Sequence, residues 1–342
     1  MRIVFCGTPD YAVPSLRRLV QLAPRHEVVA VVSQPDRPKG RSHTPAPPPV
    51  VAAARSLGIP PDRIFQPRSI NSPDVLARLK ALSPDLLCVV AYGGLLKRDA
   101  LALPRLRAIN AHGSLLPRHR GAAPIQAALL AGDAETGVSI MEIELALDAG
   151  PVLLKRPIPI QPDDDAGTLH DKLAGLSAEC FAEAVALLEA GIAVFTPQDA
   201  TQASYAPKLG KDAGRIDWSG SVDFLLRFVR AMNPWPGAWT AVRLPDGSRN
   251  MRLRVVSAER GAGVRPSFRG QGGAVCGAGC QPATIGAGHV GRAGDEAVIV
   301  VGCGDGGFLA VRQLQPEGKR PMSSAEFLRG AGRAFADDSR WE

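Results

Sequence analysis

The amino-acid sequence predicts an α/β protein with a Rossmann-like, mostly parallel sheet that carries helices on both faces, followed by a carboxy-terminal OB-like β-barrel domain. Two observations support this prediction. Through residues 1–195, short β-branched runs alternate with longer stretches of helical period, which is the order of βαβ units in a parallel sheet. From about residue 196 the apolar runs become short and glycine becomes frequent, which is typical of a small barrel.

The first part contains enough elements for one sheet covered on both faces. Strands are predicted at 2–6, 28–33, 86–92 and 107–111, and residues 137–143 and 151–160 alternate as a hairpin would. Helices are predicted at 13–22, 50–57, 74–82, 122–131 and 168–190. Pro14 fits the first helix because proline is tolerated in a first turn. Folds of this kind bind ligands at the carboxyl ends of their strands, so functional residues are expected there.

The second part follows a polar segment without period, residues 197–207, which we interpret as linking sequence. The predicted domains are a catalytic domain at 1–195, a linker at 196–207 and a second domain at 208–335. Within the second domain a helix is expected at 223–232, strands at 240–244, 252–259, 297–301 and 308–314, and a final helix at 323–330. The glycine-rich stretch 261–294 has little period and is expected to form long barrel loops.

The positive charge of the chain is concentrated in its carboxy-terminal third. The 342 residues carry a net charge of +7. Residues 1–205 contain 21 basic and 20 acidic side chains, whereas residues 206–342 contain 19 basic and 13 acidic ones. Such an excess predicts a polyanionic partner, most commonly a nucleic acid. A general abundance of surface arginine would produce the same count, so charge alone leaves the partner open.

The remaining composition disfavours several classes of protein. No apolar run approaches the roughly 18 residues that a membrane helix needs, and the opening residues have the pattern of a first strand rather than of a signal peptide. We expect a cytoplasmic monomer without membrane contact. The turn after the first strand has one glycine instead of the GxGxxG of dinucleotide sites, and neither a P-loop nor an HExxH motif occurs.

The six cysteines form neither a disulfide framework nor a complete metal site by spacing. Cys276 and Cys280 are spaced like metal ligands, but no second cysteine or histidine pair lies nearby to complete four ligands. No metal is therefore expected. The other four lie in apolar contexts, where cysteine behaves as a small hydrophobe: Cys6, Cys88, Cys180 and Cys303.

The most informative residues are Asn110 and His112, at the end of the predicted 107–111 strand. Residues two apart on a strand point to the same face, so both side chains can address one reacting atom. An amide and an imidazole aimed at a carbonyl oxygen would make an oxyanion hole, and a histidine can also act as acid or base near neutral pH. The alternative is structural, with Asn110 capping a turn and His112 bonded to backbone.

Asp148 is the best candidate for a third polar partner, because a histidine acid or base usually has an orienting carboxylate. It lies between two apolar runs in the sequence ELALDAGP, residues 144–151. Aspartate before small residues is equally typical of an ordinary turn, so both interpretations stay open here. Glu142 and Glu144 alternate along the preceding strand and are interpreted as a solvated face.

A basic loop, QPDRPKGR at residues 34–41, supplies Arg37, Lys39 and Arg41. It can be simply solvated, or it can contact phosphates beside the active site. Together with Arg118 and Arg120, and with the basic carboxy-terminal third, the second interpretation predicts a channel for a polyanionic substrate.

These motifs resemble one family closely. The run NAHGSLLPRHRGAAPIQ, residues 110–126, is similar to the active-site signature of the methionyl-tRNA formyltransferase family, a group of folate-dependent formyltransferases. The same resemblance extends over nearly the whole chain, through residues 5–12, 34–41, 132–138, 147–150, 205–209, 215–218, 233–236 and 318–322.

The resemblance implies transfer of a formyl group from 10-formyltetrahydrofolate to the α-amine of methionine on initiator Met-tRNA, without a metal. It implies that Asn110, His112 and Asp148 are catalytic. It also implies a folate site and a tRNA surface, the latter including the OB-like domain. The expected folate residues are Ser114, Leu115, Leu116 and Pro117, and the expected tRNA-binding residues are Arg37, Lys39, Arg41 and Lys208.

The sequence leaves two questions open: whether the basic loop contacts tRNA, and whether another class of protein fits the same pattern. After Arg41 the loop continues SHTPAPPP, where related sequences place more lysine, so tRNA contact by this loop is open. A sugar or nucleotide formyltransferase, or a non-catalytic RNA-binding protein, would share part of the pattern. The segments 205–218 and 233–236 count against the former, and the three polar residues of the candidate site count against the latter.

Overall fold

The computed structural model describes residues 1–38, 45–243, 250–261, 266–267, 290–293, 298–330 and 341. The chain divides into two compact units. The first unit comprises Met1–Ala128, Ala134–Pro162 and Thr168–Pro207. The second unit takes in Leu129–Asp133, Asp163–Gly167 and the described residues from Lys208 onward. The predicted domain boundaries stay predictions.

The amino-terminal 207 residues alternate strands and helices, as the sequence predicts. The strands are β1 Arg2–Gly7, β2 Glu27–Val32, β3 Arg37–Pro38, β4 Pro45–Ala46, β5 Ile64–Phe65, β6 Leu86–Val90, β7 Arg107–His112, β8 Arg120–Gly121, β9 Glu135–Glu142, β10 Val152–Pro159 and β11 Tyr205–Ala206. The helices are α1 Val13–Val20, α2 Pro49–Ser56, α3 Pro73–Ala81, α4 Arg98–Leu101, α5 Pro124–Ala131 and α6 Ala166–Glu189.

Seven of these strands form one mostly parallel sheet in the order β10-β9-β7-β6-β1-β2-β5. The first five strands of the sheet in chain order run parallel to one another. β9 pairs antiparallel with both β7 and β10. From β1 the chain builds outward through β2 and β5, and it then returns to place β6 on the other side of β1. Ligand sites of open α/β sheets lie where the strand order reverses in this way, which here is outside the carboxyl ends of β1 and β6.

Helices cover both faces of this sheet, as predicted. Ile3 and Phe5 of β1 pack with Leu16 of α1 and Phe181 of α6 in one core. Val4 packs into a second core on the opposite face, together with residues of α3 and α4. The alternation follows from the period of two in a strand. Because both faces are buried, the inner strands are apolar throughout, as in β6, whose five residues are all buried.

The second unit is built on an antiparallel sheet. Its strands are β12 Ala238–Arg243, β13 Asn250–Arg260, β14 Pro266–Ser267, β15 Val290–Ala293, β16 Val298–Gly302, β17 Phe308–Pro316 and β18 Met322–Ser323, and its helices are α7 Val222–Met232 and α8 Ser324–Arg329. They pair in the order β12-β13-β17-β16-β15-β14, with β18 on β17. Among the described strands no pairing closes this sheet into a barrel. The glycine-rich stretch 261–294 lies outside the described residues, apart from Gly261, β14 and β15.

The predicted linker, residues 196–207, is hydrogen-bonded to strands of the first unit. Thr196 and Val152 exchange two backbone hydrogen bonds of 2.8 and 2.9 Å, and β11 pairs in parallel with β8. A two-residue strand is too short to produce an alternating pattern, so the sequence carries no sign of it. This segment therefore belongs to the architecture around the candidate site.

Buried cysteines and helix lengths bear on two further expectations. The four cysteines in apolar contexts are free and buried, which confirms that expectation; Cys276 and Cys280 lie outside the described residues. Among the helices of the described residues, none combines the length and apolar character that crossing a bilayer requires.

Candidate active site

A cavity of about 700 Å³ opens at the carboxyl ends of β1, β6 and β7 in the first unit. Its walls come from Pro9 and Tyr11 after β1, residues 91–96 after β6, residues 110–113 at the end of β7, and residues 143–148 after β9. The lining is mostly apolar. A large apolar cavity with a few converging polar groups at this place in the sheet is the expected form of a small-molecule site.

Asn110 and His112 both line this cavity. The pairing of β7 with β9 sets Asn110 opposite Met141 and His112 opposite Ser139. His112 is buried, with 6% of its side chain exposed, whereas Asn110 is half-buried. Within the described part of the chain the Asn110 side chain has no hydrogen-bond partner, which leaves its amide available to a ligand in the cavity.

His112 is held between a backbone carbonyl and a carboxylate. Its Nε2 donates to the carbonyl oxygen of His119 over 2.8 Å. Its Nδ1 lies 3.6 Å from Oδ2 of Asp148. Since a neutral imidazole carries one N–H, the ring can donate to both partners at once only as an imidazolium. The Nδ1–Oδ2 distance is longer than a normal hydrogen bond. Nδ1 can therefore form a shorter bond to Asp148 or bond to a ligand instead, and hydrogen bonds in active sites often shorten once substrate is bound.

Asp148 is fixed by the protein rather than carried on a free turn. Its Oδ2 accepts a 2.8 Å hydrogen bond from the backbone N–H of Gly121. Its backbone has φ +48°, in the left-handed region that aspartate tolerates better than most residues. The structure thus brings Asn110, His112 and Asp148 to one cavity, although 38 positions separate the first from the last.

Gln198, which the sequence analysis did not single out, joins this arrangement from residues 197–207. Its Nε2 donates to the backbone carbonyls of Asp148 and Gly150, over 2.9 and 2.7 Å. Its Oε1 accepts from Nε and Nη2 of Arg120, over 3.1 and 2.8 Å. Nothing in the sequence pattern marks this residue, because all its partners come from distant positions.

The position of Arg120 corrects one sequence-based expectation. This side chain is only 6% exposed and its guanidinium is bonded to Gln198. We had expected Arg120 to line a channel for a polyanion. Its burial shows that it does not. A guanidinium that is removed from solvent must be hydrogen-bonded to acceptors, and the Gln198 amide oxygen is one of them. Arg118, by contrast, is exposed.

Two tyrosines in the cavity wall are electrically neutral groups. Burial raises the pKa of Tyr11 to about 12, and its hydroxyl bonds to Oγ of Ser177 at 3.2 Å. Burial likewise raises the pKa of Tyr92. Neither hydroxyl ionises near neutral pH, so neither tyrosine is a charged group of the cavity.

The residues predicted to contact folate, Ser114, Leu115, Leu116 and Pro117, are not among those that line the cavity. Ser114 is fully buried and its hydroxyl donates to the Arg118 carbonyl over 2.6 Å. Leu116 is fully buried against Met141 and Val152. Of the four, Leu116 thus packs against Met141, which lines the cavity. Contact of these residues with a ligand stays a prediction.

Of the residues predicted to contact tRNA, two can be placed. Arg37 is exposed on β3, which pairs with β4, and Lys208 is exposed where the second unit begins. Lys39 and Arg41 lie outside the described residues. Glu142, interpreted as solvated, is bonded to Arg107. Among the described residues, no group of three or more histidine, cysteine or acidic side chains is placed to hold a metal ion.

Comparison with known proteins adds to this geometry. The family model "Formyl transferase" matches residues 1–185, and the model "Formyl transferase, C-terminal domain" matches residues 208–332. Among relatives, a methionyl-tRNA formyltransferase of Xanthomonas axonopodis pv. citri is 45% identical over 96% of this chain and 97% of its own length. One of Geobacter metallireducens is 42% identical over 96% of each chain.

Solved structures share the fold at lower identity. The sugar 3N-formyl transferase WlaRD aligns with a TM-score of 0.60 and 14% identity, over 94% of this chain and 99% of its own. HypX from Aquifex aeolicus aligns with a TM-score of 0.56 and 21% identity, over 96% of this chain but only 49% of its own. Fold and cavity together with these matches define a formyl transferase. The chain belongs to the methionyl-tRNA formyltransferase family.

Proposed function

We propose that this protein transfers the formyl group of 10-formyltetrahydrofolate to the α-amine of methionine on initiator Met-tRNA. The observation that carries the proposal is the convergence of Asn110, His112 and Asp148 on one cavity at the switch point of the sheet. The relatives that match nearly the whole chain bear the name of this activity, and HypX has been crystallised with tetrahydrofolic acid.

The cavity is suited to the ring systems of a folate, whose faces can pack against apolar side chains while the polar edge groups form hydrogen bonds. Leu95, Leu145 and Leu147 line it, yet they are 71%, 58% and 64% exposed. Leaving three leucines exposed is unfavourable, and a ligand that covered them would gain roughly 25 cal/mol for each Å² removed from water. Folate binds against this wall and contacts residues 114–117, which follow β7 in the chain.

The three polar residues divide the chemistry of the transfer. The neutral amine attacks the formyl carbon, the bond from that carbon to N10 of the folate breaks, and a proton passes from the amine to N10. Asn110 donates to the formyl oxygen as negative charge grows on it. His112 donates to the same oxygen or carries the proton, and Asp148 orients the ring.

The second unit supplies the tRNA surface in this proposal. Residues 206–342 carry the excess of basic side chains, and the antiparallel sheet is consistent with an OB-like barrel of the kind that binds nucleic acids. Lys208 at the start of this unit and Arg37 on β3 contact the phosphate backbone, with Lys39 and Arg41 beside the latter. The protein acts as a cytoplasmic monomer.

A direct assay tests the proposal. Purified protein is mixed with 10-formyltetrahydrofolate and either Met-charged initiator tRNA or an amino sugar nucleotide, and formylated product is measured. We expect formyl-methionine only in the first mixture. Turnover of the amino sugar without formylation of Met-tRNA would instead identify a sugar formyltransferase.

The salt concentration should affect the KM values of the two substrates differently. Contacts with tRNA phosphates release counterions, so raising the salt concentration should raise KM for Met-tRNA far more than KM for 10-formyltetrahydrofolate. We expect Lys208→Ala to raise KM for the tRNA and to reduce its salt slope by about 1. Lys80→Ala, which removes the same charge from an exposed position on α3, is the matched control. Equal slopes in both variants would remove Lys208 from the tRNA surface.

A further inference from the structure

Both partners of His112 are tied to one segment of the chain. The Asp148 loop is bonded to Gln198 through the carbonyls of Asp148 and Gly150. The His119 carbonyl, which accepts from His112, belongs to a residue whose own N–H donates to Oγ of Ser204 over 2.9 Å. Residues 198–204 therefore contact the two groups that set the orientation of the imidazole, without contacting the ring itself.

Gln198 is the firmer of these two attachments. Its amide oxygen and amide nitrogen make four hydrogen bonds, two to the Arg120 guanidinium and two to backbone carbonyls of the Asp148 loop. Arg120 is buried and is itself fixed by its backbone, whose N–H donates to the Ser204 carbonyl over 2.8 Å. Gln198 thus connects the Asp148 loop, in which the aspartate has a left-handed backbone, to a buried and hydrogen-bonded guanidinium.

We propose that Gln198 is a positioning residue, which holds the Asp148 loop at the distance from His112 that formyl transfer requires. This inference rests on the proposed function for its kinetic consequence. Both amide groups are needed for the role, since only a primary amide can accept from a guanidinium on one side and donate to two carbonyls on the other. A carboxylate at the same position would keep the bond to Arg120 and would repel both carbonyls.

Gln198→Glu is therefore the informative variant, because it keeps the buried arginine partnered. Displacing a catalytic group by about 1 Å can cost on the order of 100-fold in rate, so we expect kcat to fall between about 10- and 100-fold. Both KM values should stay within about twofold, since Gln198 does not line the cavity. Gln21→Glu is the matched control: the same change on an exposed side chain directly after α1, which does not line the cavity, should leave kcat unchanged.

A double-mutant cycle separates positioning from general destabilisation. If Gln198 acts through Asp148, then Gln198→Glu should lower kcat less than about threefold in an Asp148→Asn background. A full loss in that background would overturn the proposal. Gln198→Met, which removes both the donors and the acceptor of Arg120 without adding a charge, should lower kcat at least as much as Gln198→Glu; wild-type kcat in the Met variant would also overturn the proposal.

A crystal structure of Gln198→Glu tests the same inference without any substrate. We expect the separation of His112 Nδ1 and Asp148 Oδ2 to lengthen beyond 3.6 Å. An unchanged separation would contradict the positioning role whatever the enzyme formylates. Failure of the wild-type protein to formylate Met-tRNA would contradict the proposed function instead, so the two failures are distinguishable.

Discussion

Replacing His112 by alanine is expected to abolish formyl transfer while leaving 10-formyltetrahydrofolate bound. The imidazole is buried beside the cavity, bonded to the His119 carbonyl and facing Asp148. In the proposed function its loss removes the donor to the formyl oxygen or the carrier of the proton. General acid–base catalysis contributes typically 10²–10⁴-fold, and we expect kcat to fall by at least about 10³-fold. Single-turnover formylation and equilibrium binding of the folate are the two measurements.

The neighbouring Asn110→Ala should lower kcat by about 10²–10³-fold, the usual cost of one oxyanion donor. The control for truncating a buried histidine is His26→Ala, because His26 is 5% exposed and lies before β2, where it contacts Glu189 instead of the cavity. We expect normal kcat per folded molecule in that variant. Near-normal turnover in His112→Ala would exclude this residue from the mechanism, and loss of folate binding would show that the change acts on the ground state.

Gly121→Ala is expected to be the most disruptive single methyl group near the site. Gly121 has φ +113°, and a Cβ there would lie 2.5 Å from the backbone oxygen of Ala206. The clash falls on backbone in the β8–β11 pair, which cannot move aside as a side chain would. The same residue donates its N–H to Asp148, so any shift that relieves the clash disturbs the Asp148 carboxylate.

We expect Gly121→Ala to lower the free energy of unfolding by roughly 2–4 kcal/mol, from left-handed strain of about 1–2 kcal/mol plus the steric clash. Denaturant unfolding measures this loss, and kcat per folded molecule should fall as well. Gly58→Ala is the matched control: its φ is +77° but its Cβ would meet nothing within 4 Å. It should cost only the strain and leave kcat intact. Equal losses of unfolding free energy in both variants would show that the backbone at Ala206 moves to accommodate the added methyl group.

Much of the first unit is predictable from local sequence because its elements have strong periods. The buried strands β1, β2, β6 and β7 are apolar runs bounded by turns, and the mostly parallel sheet with helices on both faces is confirmed. Ends of elements differ from the prediction by a few residues, since hydrophobic period locates an element better than it locates its ends. The two-residue strands β8 and β11 were not predicted, because they are too short for a pattern.

The candidate site likewise has one part that local sequence predicts and another that only the fold determines. Asn110 and His112 lie two apart on one strand, and strand geometry places them on one face. The pairing of His112 with the His119 carbonyl, and the burial of Arg120, depend on where the chain turns back, and the sequence-based placement of Arg120 beside a polyanion is wrong. Gln198 meets Asp148 across 50 positions and Ser204 meets His119 across 85. No period encodes contacts at such separations.

The sequence by itself determined the mostly parallel sheet with helices in the first unit, the polar pair at the end of β7 and the basic character of the last third, because each depends on residues close together in the chain. Only the tertiary structure decided that Asp148 faces His112 and that Arg120 is internal. It also decided that the segment expected to be a linker holds the Asp148 loop. The physical reason is that a local pattern fixes which face a side chain occupies, whereas its partner across the fold is set by strand order, register and packing of distant segments.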